Sequence, residues 1–573
     1  MVTIEVNGKK YTAKPGATIL SVLKENNIHV PSLCNMEELF PTGACRLCVV
    51  EVEGMRTLVP SCSFPVADGM KIMTHSQRVL RARKTIVELL LANHPDDCLY
   101  CVRNGTCELQ TLAEEMNVRE RRHVGVKHPF KKDISSASIV RDPEKCILCG
   151  RCVRMCEEIQ TVSAIDFIGR GCTTQVGTAF NDGLNVSTCI NCGQCINVCP
   201  TGALTEQSSI ELVEAALRDP DTIVIAQHAP SISVSLGEEF GLPAGFDVCG
   251  SMTAALRDIG FDKVFDTGFS ADLTIMEEAS ELAHRVATGG VLPMFTSCSP
   301  GWIKFVEHNY PDFMPNLSTC KSPQQMMGAI IKSYYAKKET IDPKRIFSVS
   351  IMPCTAKKFE AQRPEMGQNA QPDIDAVLTT RELAKLLRKF GVVLDKVEPE
   401  EADNPLGTRS TAGKIFGTTG GVMEAAIRTA HFLLTGKELE NLDVTDVRDL
   451  KGVKEAKVTI GDLTVGVAVV SGLGNARKLL EQVKAGRSDL HFIEVMTCPG
   501  GCIAGGGQPL GIPKENVKVR MKKLYAIDRQ ESMRTSHSNP LVKQLYDEFL
   551  GKPLGEKSHQ LLHTHYHERV ESR

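Results

Sequence analysis

From about residue 210 onward, short apolar runs alternate with amphipathic stretches: DTIVIAQHAP, helical spacing near 252 to 259, KVFDTG, helical spacing from 271 to 286, VLPMFTSC, a further helix, and RIFSVSIMPC. Runs that are apolar at nearly every position suit strands buried on both faces, and their alternation with helices predicts an α/β domain with mostly parallel sheets. In such folds ligands bind beyond the carboxyl ends of the strands. Ala229-Pro230, Cys298, Met352-Pro353-Cys354 and Met496-Thr497-Cys498 stand at such ends, so residues far apart in sequence converge on one buried site. The start of the chain has a different rhythm. Residues 1 to 13 alternate apolar and polar around Asn7-Gly8, a hairpin signal, and Thr18-Ile19-Leu20 opens an amphipathic helix, which together predict a small β-rich domain. Helices are also expected from about Ser76 to Ala92 and from 540 to 550. QRPEMGQNAQPDID and VEPEEADNP make 361 to 410 read as a loop-rich surface insertion, and the histidine-rich end LLHTHYHERVESR reads as a solvated or subunit-contacting tail rather than a metal site.

Cysteines change this picture most. There are 22 of them in a chain with no secretory leader pattern and no apolar run of bilayer length, so a soluble, cytoplasmic protein is expected, where disulfides do not persist and clustered thiols bind metal. Cys34, Cys45, Cys48 and Cys62 form C-x10-C-x2-C-x13-C on Pro- and Gly-containing loops, a spacing that suits a [2Fe–2S] cluster in a β-grasp domain, with structural zinc as the other reading. His94, Cys98, Cys101 and Cys107 form H-x3-C-x2-C-x5-C, where an imidazole can fill the fourth corner of a [4Fe–4S] cubane. Cys146, Cys149, Cys152 and Cys156, then Cys189, Cys192, Cys195 and Cys199 before Pro200, repeat the two-cluster ferredoxin pattern. In that arrangement each run gives three ligands to one [4Fe–4S] cluster and its last cysteine to the other. Cys172 between the runs reads as structural, and Cys249 and Cys320 as plain core residues.

The net charge of −3 and the near-neutral pI exclude a nucleic-acid or membrane-surface binder on electrostatic grounds. Near the other end, EVMTCPGGCIAGGGQP at 494 to 509 sets Cys498 and Cys502 four apart before three glycines, a turn that can hold two corners of a cluster and let the backbone pass close to it.

With FTSCSPGW at 295 to 302, MPCTAKKFE at 352 to 360 and EVMTCPGGCIAGGGQP in this order, the chain resembles the [FeFe]-hydrogenases over nearly its full length. It looks most like the catalytic subunit of multimeric, NAD(P)-linked, electron-bifurcating members. The resemblance implies a multidomain α+β and α/β protein: a β-grasp [2Fe–2S] domain at 1–76, a His/Cys [4Fe–4S] module at 77–135, a two-[4Fe–4S] ferredoxin-like domain at 136–208, a catalytic domain at 209–520 and a helical C-terminal segment at 521–573. It further implies an H-cluster, which is a [4Fe–4S] cubane joined through a cysteine sulfur to a diiron unit with CO, cyanide and azadithiolate. Cys354, Cys498 and Cys502 would be cubane ligands, with Cys502 as the bridge. Lys357 would bond a cyanide, and Ala229, Pro230, Ser231, Pro323, Gln324, Met352, Phe416, Gly417 and Met496 would form the diiron pocket. Cys298, Glu278, Ser318, Glu281 and Arg285 would carry protons, Cys298 as a thiol tuned towards neutrality.

The family's TSCCPGW places a fourth ligand where this chain has Ser299. Ser299 would bind iron through oxygen, Cys298 would swing in to replace it, or the cubane would lack an iron; a ligand knockout is a fourth explanation. The implied function is reversible H2 oxidation and proton reduction, with electrons relayed through the N-terminal clusters to ferredoxin or NAD(P)-linked flavoprotein subunits in a hetero-oligomer. Separate maturation proteins would install the diiron unit. Two other readings stay open: a hydrogen-sensing or silent member, and an electron-transfer subunit without the diiron unit.

Overall fold

The first turn follows from two residues that tolerate left-handed backbone. Asn7 and Gly8 take φ of 48° and 81°, as the tightest hairpins require, and pair Val2–Val6 with Lys9–Ala13 in antiparallel register. The computed structural model describes residues 1–569 except 121, 126, 128, 369, 462 and 512. Val49–Val52, Val59–Pro60 and Lys71–Met73 complete a five-stranded sheet, and the helix Ile19–Glu25, capped by the Thr18 hydroxyl, buries Ile19, Leu20, Val22 and Leu23 against it. This is the β-grasp domain.

The helix Gln77–Asn93 ends at His94. The ferredoxin-like domain is closed by Ile139–Arg141 paired with Leu204–Glu206, and its two halves repeat one device: Gly150 and Gly193, at φ of 72° and 70°, each turn the chain into a short helix beside the cysteines.

Two four-stranded sheets build the large domain. In the first, Lys263–Asp266, Ile223–His228, Ile346–Met352 and Ala376–Thr379 are adjacent and parallel. In the second, Met294–Phe295, Phe492–Met496 and Leu463–Ser471 run parallel, and Val453–Ile460 is the antiparallel edge. The long helix Thr267–Thr288, capped by Asp266 and closed by Gly289 at φ 69°, is buried along most of its length against Pro323–Ile330, Thr411–Ile415 and Gly421–Thr435.

Two expectations need correction. The middle of 361 to 410 is not a loop: Ala376–Thr379 is a sheet strand and Thr380–Lys389 a helix with a Thr379/Glu382 capping box, burying Leu383, Ala384, Leu386 and Leu387. Only the polar flanks of that stretch are irregular. Nor is the C-terminal segment a solvated tail. Leu545, Leu550, Leu561 and Leu562 pack with Ile330 and Tyr335, and backbone bonds tie Lys321 to Leu562 and Thr564 to Thr319. His565 and His567 are exposed, while His563 is buried; the last four residues lie outside the described region. Among the described residues no helix is long and apolar enough to cross a membrane.

Candidate active site and cluster cavities

Four sets of candidate ligands gather in the N-terminal half. Cys34, Cys45, Cys48 and Cys62 lie within mutual hydrogen-bonding reach, and sharing protons pulls the Cys34 and Cys48 thiols down, the latter to about 6, while Cys45 and Cys62 are pushed up. His94, Cys98, Cys101 and Cys107 line one cavity, and the buried Nδ1 of His94 has no hydrogen-bond partner among the described residues, which suits a metal ligand. Cys146, Cys149 and Cys152 share a cavity with Cys199, and Cys189, Cys192 and Cys195 share another with Cys156. The last cysteine of each run thus sits with the other run. Cys172 is exposed and lines none of these cavities.

These cavities follow one another closely. Pro200 and Thr201 line the Cys146 cavity and the next residue, Gly202, lines the His94 cavity, where a Cβ would stand 2.9 Å from the Cys101 sulfur. On the other side the Arg154 guanidinium donates to the Cys34 carbonyl at 2.5 Å.

The central cavity lies where the strand ends meet. It gathers Cys354, Cys498, Cys502 and Ser299, with Cys298, Lys357, Ala229, Pro230, Ser231, Pro323, Gln324, Met352, Phe416, Gly417 and Met496 in its wall. Cys192 lines both this cavity and its own, so the two adjoin. The contact between domains is close and polar: Gln194 bonds the Ala504 carbonyl, Asn197 that of Gly505, and Thr355 that of Asn191 at 2.7 Å. A Cβ on Gly506 would fall 2.1 Å from the Cys192 carbonyl, and one on Gly505 2.2 Å from that of Pro353. The glycine run is therefore a requirement of packing.

Burial pushes the Cys354, Cys498 and Cys502 thiols up, and nearby Cys354 adds to it for the other two; such thiols give up their protons to a soft metal. Ser299 Oγ lies 2.8 Å from Thr497 Oγ1. The Lys357 ammonium donates to Glu360 at 2.8 Å and the Cys298 carbonyl at 3.1 Å, leaving one N–H for a cavity ligand. Fully buried Ser231 has a hydroxyl without a partner among the described residues. These two polar donors fit a group with acceptor ligands such as cyanide.

Behind Cys298 lies the acid chain. Burial, and then Glu278, push the Cys298 thiol well up, contrary to the expected tuning towards neutrality. Glu278 is the group brought near neutrality: burial, with Glu281 close by, pushes it up to about 8. Ser318 Oγ donates to Glu281 at 2.9 Å, and Arg285 clamps the other Glu281 oxygen at 2.6 Å.

One positioning residue escaped the sequence reading. Glu494 is fully buried and accepts 2.7 Å bonds from the amides of Gly420 and Met423, pinning the segment that carries Phe416 and Gly417 to the strand that delivers Cys498. A glutamate inside an apolar strand run was the available signal.

Thiol-lined cavities leading to a larger pocket with metal-ligand thiols and a buried acid chain define an iron–sulfur redox enzyme. Comparison with known proteins narrows this. Residues 222–506 match the family described as iron only hydrogenase large subunit, C-terminal domain, and 514–569 match iron hydrogenase small subunit. A 2Fe-2S iron-sulfur cluster binding domain matches at 1–77, the iron-sulfur binding region of NADH-ubiquinone oxidoreductase-G at 83–122, and the ferredoxin-like domain of NADH-quinone oxidoreductase subunit 3 at 136–205. The NADP-reducing hydrogenase subunit HndD of Solidesulfovibrio fructosivorans is 51% identical over 99% of both chains, and iron hydrogenase 1 of Clostridium pasteurianum is 42% identical over 99% of this chain and 100% of its own. A solved variant of [FeFe]-hydrogenase HydA1 from Chlamydomonas reinhardtii, 42% identical, covers 63% of this chain and 99% of its own with a TM-score of 0.57. The chain belongs to the iron-only, or [FeFe], hydrogenases and is a multi-cluster member of these oxidoreductases.

Proposed function

We propose that the chain catalyses 2H⁺ + 2e⁻ ⇌ H2 at an H-cluster in the central cavity, exchanging electrons with ferredoxin and NAD(P)-linked flavoprotein subunits of a hetero-oligomer. The observation that carries this is the gathering of Cys354, Cys498 and Cys502 with Cys298, Lys357 and the unpartnered Ser231 hydroxyl around one buried cavity. Cys354, Cys498 and Cys502 would hold the cubane, with Ser299 at the fourth corner and Cys502 shared with the diiron unit, which maturation proteins install. When bound, that unit supplies the open iron site and the basic amine for heterolytic H2 cleavage.

The chain's own residues do the rest. Lys357 and Ser231 orient acceptor ligands, while Pro230, Pro323, Met352, Phe416 and Met496 keep water out. Cys298 holds a proton at Sγ on the cavity wall, Glu278 exchanges it, and Ser318 and Glu281 carry it towards the surface beside Arg285.

Cys156, Cys189, Cys192 and Cys195 would hold the accessory cluster nearest the cubane, since Cys192 borders both cavities, and that cluster would supply electron transfer there. Cys146, Cys149, Cys152 and Cys199 would hold the next cluster, His94, Cys98, Cys101 and Cys107 a further [4Fe–4S] cluster, and Cys34, Cys45, Cys48 and Cys62 a [2Fe–2S] cluster, together supplying the route to redox partners. The similarity to an NADP-reducing hydrogenase subunit supports an NAD(P)-linked partner.

Infrared spectra of maturated protein test the reading: CO and cyanide bands, with hydrogen evolution from reduced methyl viologen, are expected. Absence of the bands sinks it. Ser299→Cys should raise bound iron and activity; bands without turnover in the parent, restored in that variant, would assign the silent state to Ser299.

A further inference from the structure

The acid chain reaches its surface end at a group that cannot carry a proton. A guanidinium stays charged at any working pH. Arg285 also donates to Glu281 Oε1 at 2.6 and 3.2 Å and to the carbonyls of Val291, Pro315 and Leu317. It is a clamp.

Glu281 Oε2 faces the other way. It accepts from Ser318 Oγ at 2.9 Å on the inner side and from the amide and hydroxyl of Thr319 at 3.1 and 3.3 Å. Thr319 Oγ1 lies 2.8 Å from Nδ1 of buried His563, whose Nε2 is 3.2 Å from Glu277 Oε2. Glu277 is fully buried and accepts from Tyr546, Ser558 and the Leu554 amide. Burial opposes its ionisation, but His563, Ser558, Tyr546 and Leu554 together hold its carboxyl below the usual range. One turn back on the helix Glu556–Leu562, exposed His559 sets its ring centre 4.3 Å from that of His563.

We propose that the C-terminal histidine pair is the solvent end of the proton path, with protons passing between Glu281 and His563 through Thr319 and between His563 and water through His559. This rests on the hydrogenase reading above. In the outward step the Glu281 carboxyl gives its proton to Thr319 Oγ1, which releases its own to His563 Nδ1. The imidazole becomes imidazolium, with Nδ1–H towards Thr319 and Nε2–H towards the Glu277 carboxylate; rotation of the ring then frees an N–H that gives its proton to a ring nitrogen of His559, whose other nitrogen releases one to bulk water, and no electrons move. Histidine is suited to this because its charge changes near neutral pH. The titratable or charged groups around His563 are Glu277 and Glu281 from the long helix, with Arg285 on the far oxygen of Glu281, Cys320 from the adjoining loop, Tyr546 through Glu277, and His559 one turn back; His565 is near His559.

The test uses maturated holoenzyme carrying His563→Gln, which keeps hydrogen-bonding capacity without proton exchange, or His559→Gln at the exposed position. H2 oxidation is followed from about pH 5 to pH 9 in H2O and D2O, with infrared spectra of the CO and cyanide bands. Expected for His563→Gln are normal bands, an unchanged KM for H2, kcat lower by on the order of tenfold or more, an altered pH profile and a larger solvent isotope effect. His559→Gln should give a smaller loss with the same pH signature, and imidazole should restore rate to His563→Gly. Wild-type kcat and pH profile in both glutamine variants overturn the proposal. So does a slower His563→Gln enzyme with the parental pH profile and no imidazole rescue, since that marks a structural role. If the parent itself shows neither bands nor turnover, the hydrogenase reading fails with it, a result distinct from normal bands with an unaltered pH profile.

Discussion

In the ferredoxin-like domain, the cavity of Cys146, Cys149, Cys152 and Cys199 offers four thiols in a largely apolar wall. The central cavity offers three thiols and a serine, then continues into a pocket that adds Cys298, Lys357 and Ser231. A closed set of four soft ligands holds a cluster that only passes electrons. Fewer soft ligands, together with donors that no protein group occupies, mark a place where a further group binds and protons move. Cys192, in the wall of both cavities, is where one kind of site hands over to the other.

The largest effect should come from removing Cys502, the thiol proposed as the ligand that the two parts of the central site share. Cys502→Ala is expected to abolish hydrogen evolution while the electron paramagnetic resonance signals of the accessory clusters persist, with exposed Cys172→Ser as a control that leaves both unchanged. Turnover in Cys502→Ala, or loss of the accessory signals with it, would break the division between the two regions.

Next in size is the acid chain, which no accessory cavity has. Glu278→Gln keeps the shape of the side chain but cannot exchange a proton, so kcat should fall by about 10² to 10⁴-fold with accessory spectra intact. A stability effect accompanies it. Burial, then Glu281, raise the Glu278 carboxyl from its ordinary 4.5 to about 8. A raised acid contributes stability fully below its unfolded value, and that contribution is lost as pH climbs to about 8. Between about pH 5 and pH 8 the apoprotein should therefore lose on the order of a few kcal/mol that Glu278→Gln does not lose, read as a flatter melting temperature against pH. Parallel curves for the two proteins would remove Glu278 as the titrating group.

The same comparison explains what could be read from the chain alone. Ligand spacing in the accessory sites is local, so Cys146-x2-Cys149-x2-Cys152 announces itself within seven residues. The central cavity is assembled from the carboxyl ends of Ile223–His228, Ile346–Met352 and Phe492–Met496, and it was legible because parallel-sheet geometry brings such ends together. Proton routes lie across tertiary contacts and carry no local signature. The His563 contact with Thr319 joins residues 244 apart, and periodicity cannot distinguish a docked histidine from a solvated one. The strand Ala376–Thr379 was hidden for another reason: three apolar residues and a threonine beside a long polar stretch give too short a pattern to separate from loop.

The smallest effect expected here concerns alignment of the two wall segments. Glu494 is buried in the strand that delivers Cys498, and its carboxylate accepts two backbone amides where the helix Gly421–Thr435 begins. Glutamine can accept one of those bonds through its carbonyl but turns an N–H towards the other amide, which should cost about 1–3 kcal/mol of stability. Because the ligand thiols and the acid chain are untouched, Glu494→Gln should bind its full complement of iron. Its infrared bands should broaden or shift as Phe416 and Gly417 lose their fixed position against Met496. Denaturant unfolding of the apoprotein reads the first effect and the cyanide bands of the maturated protein the second. A variant as stable as the parent with identical bands would show that the wall of the central cavity, like the accessory sites, needs no brace beyond its own ligands.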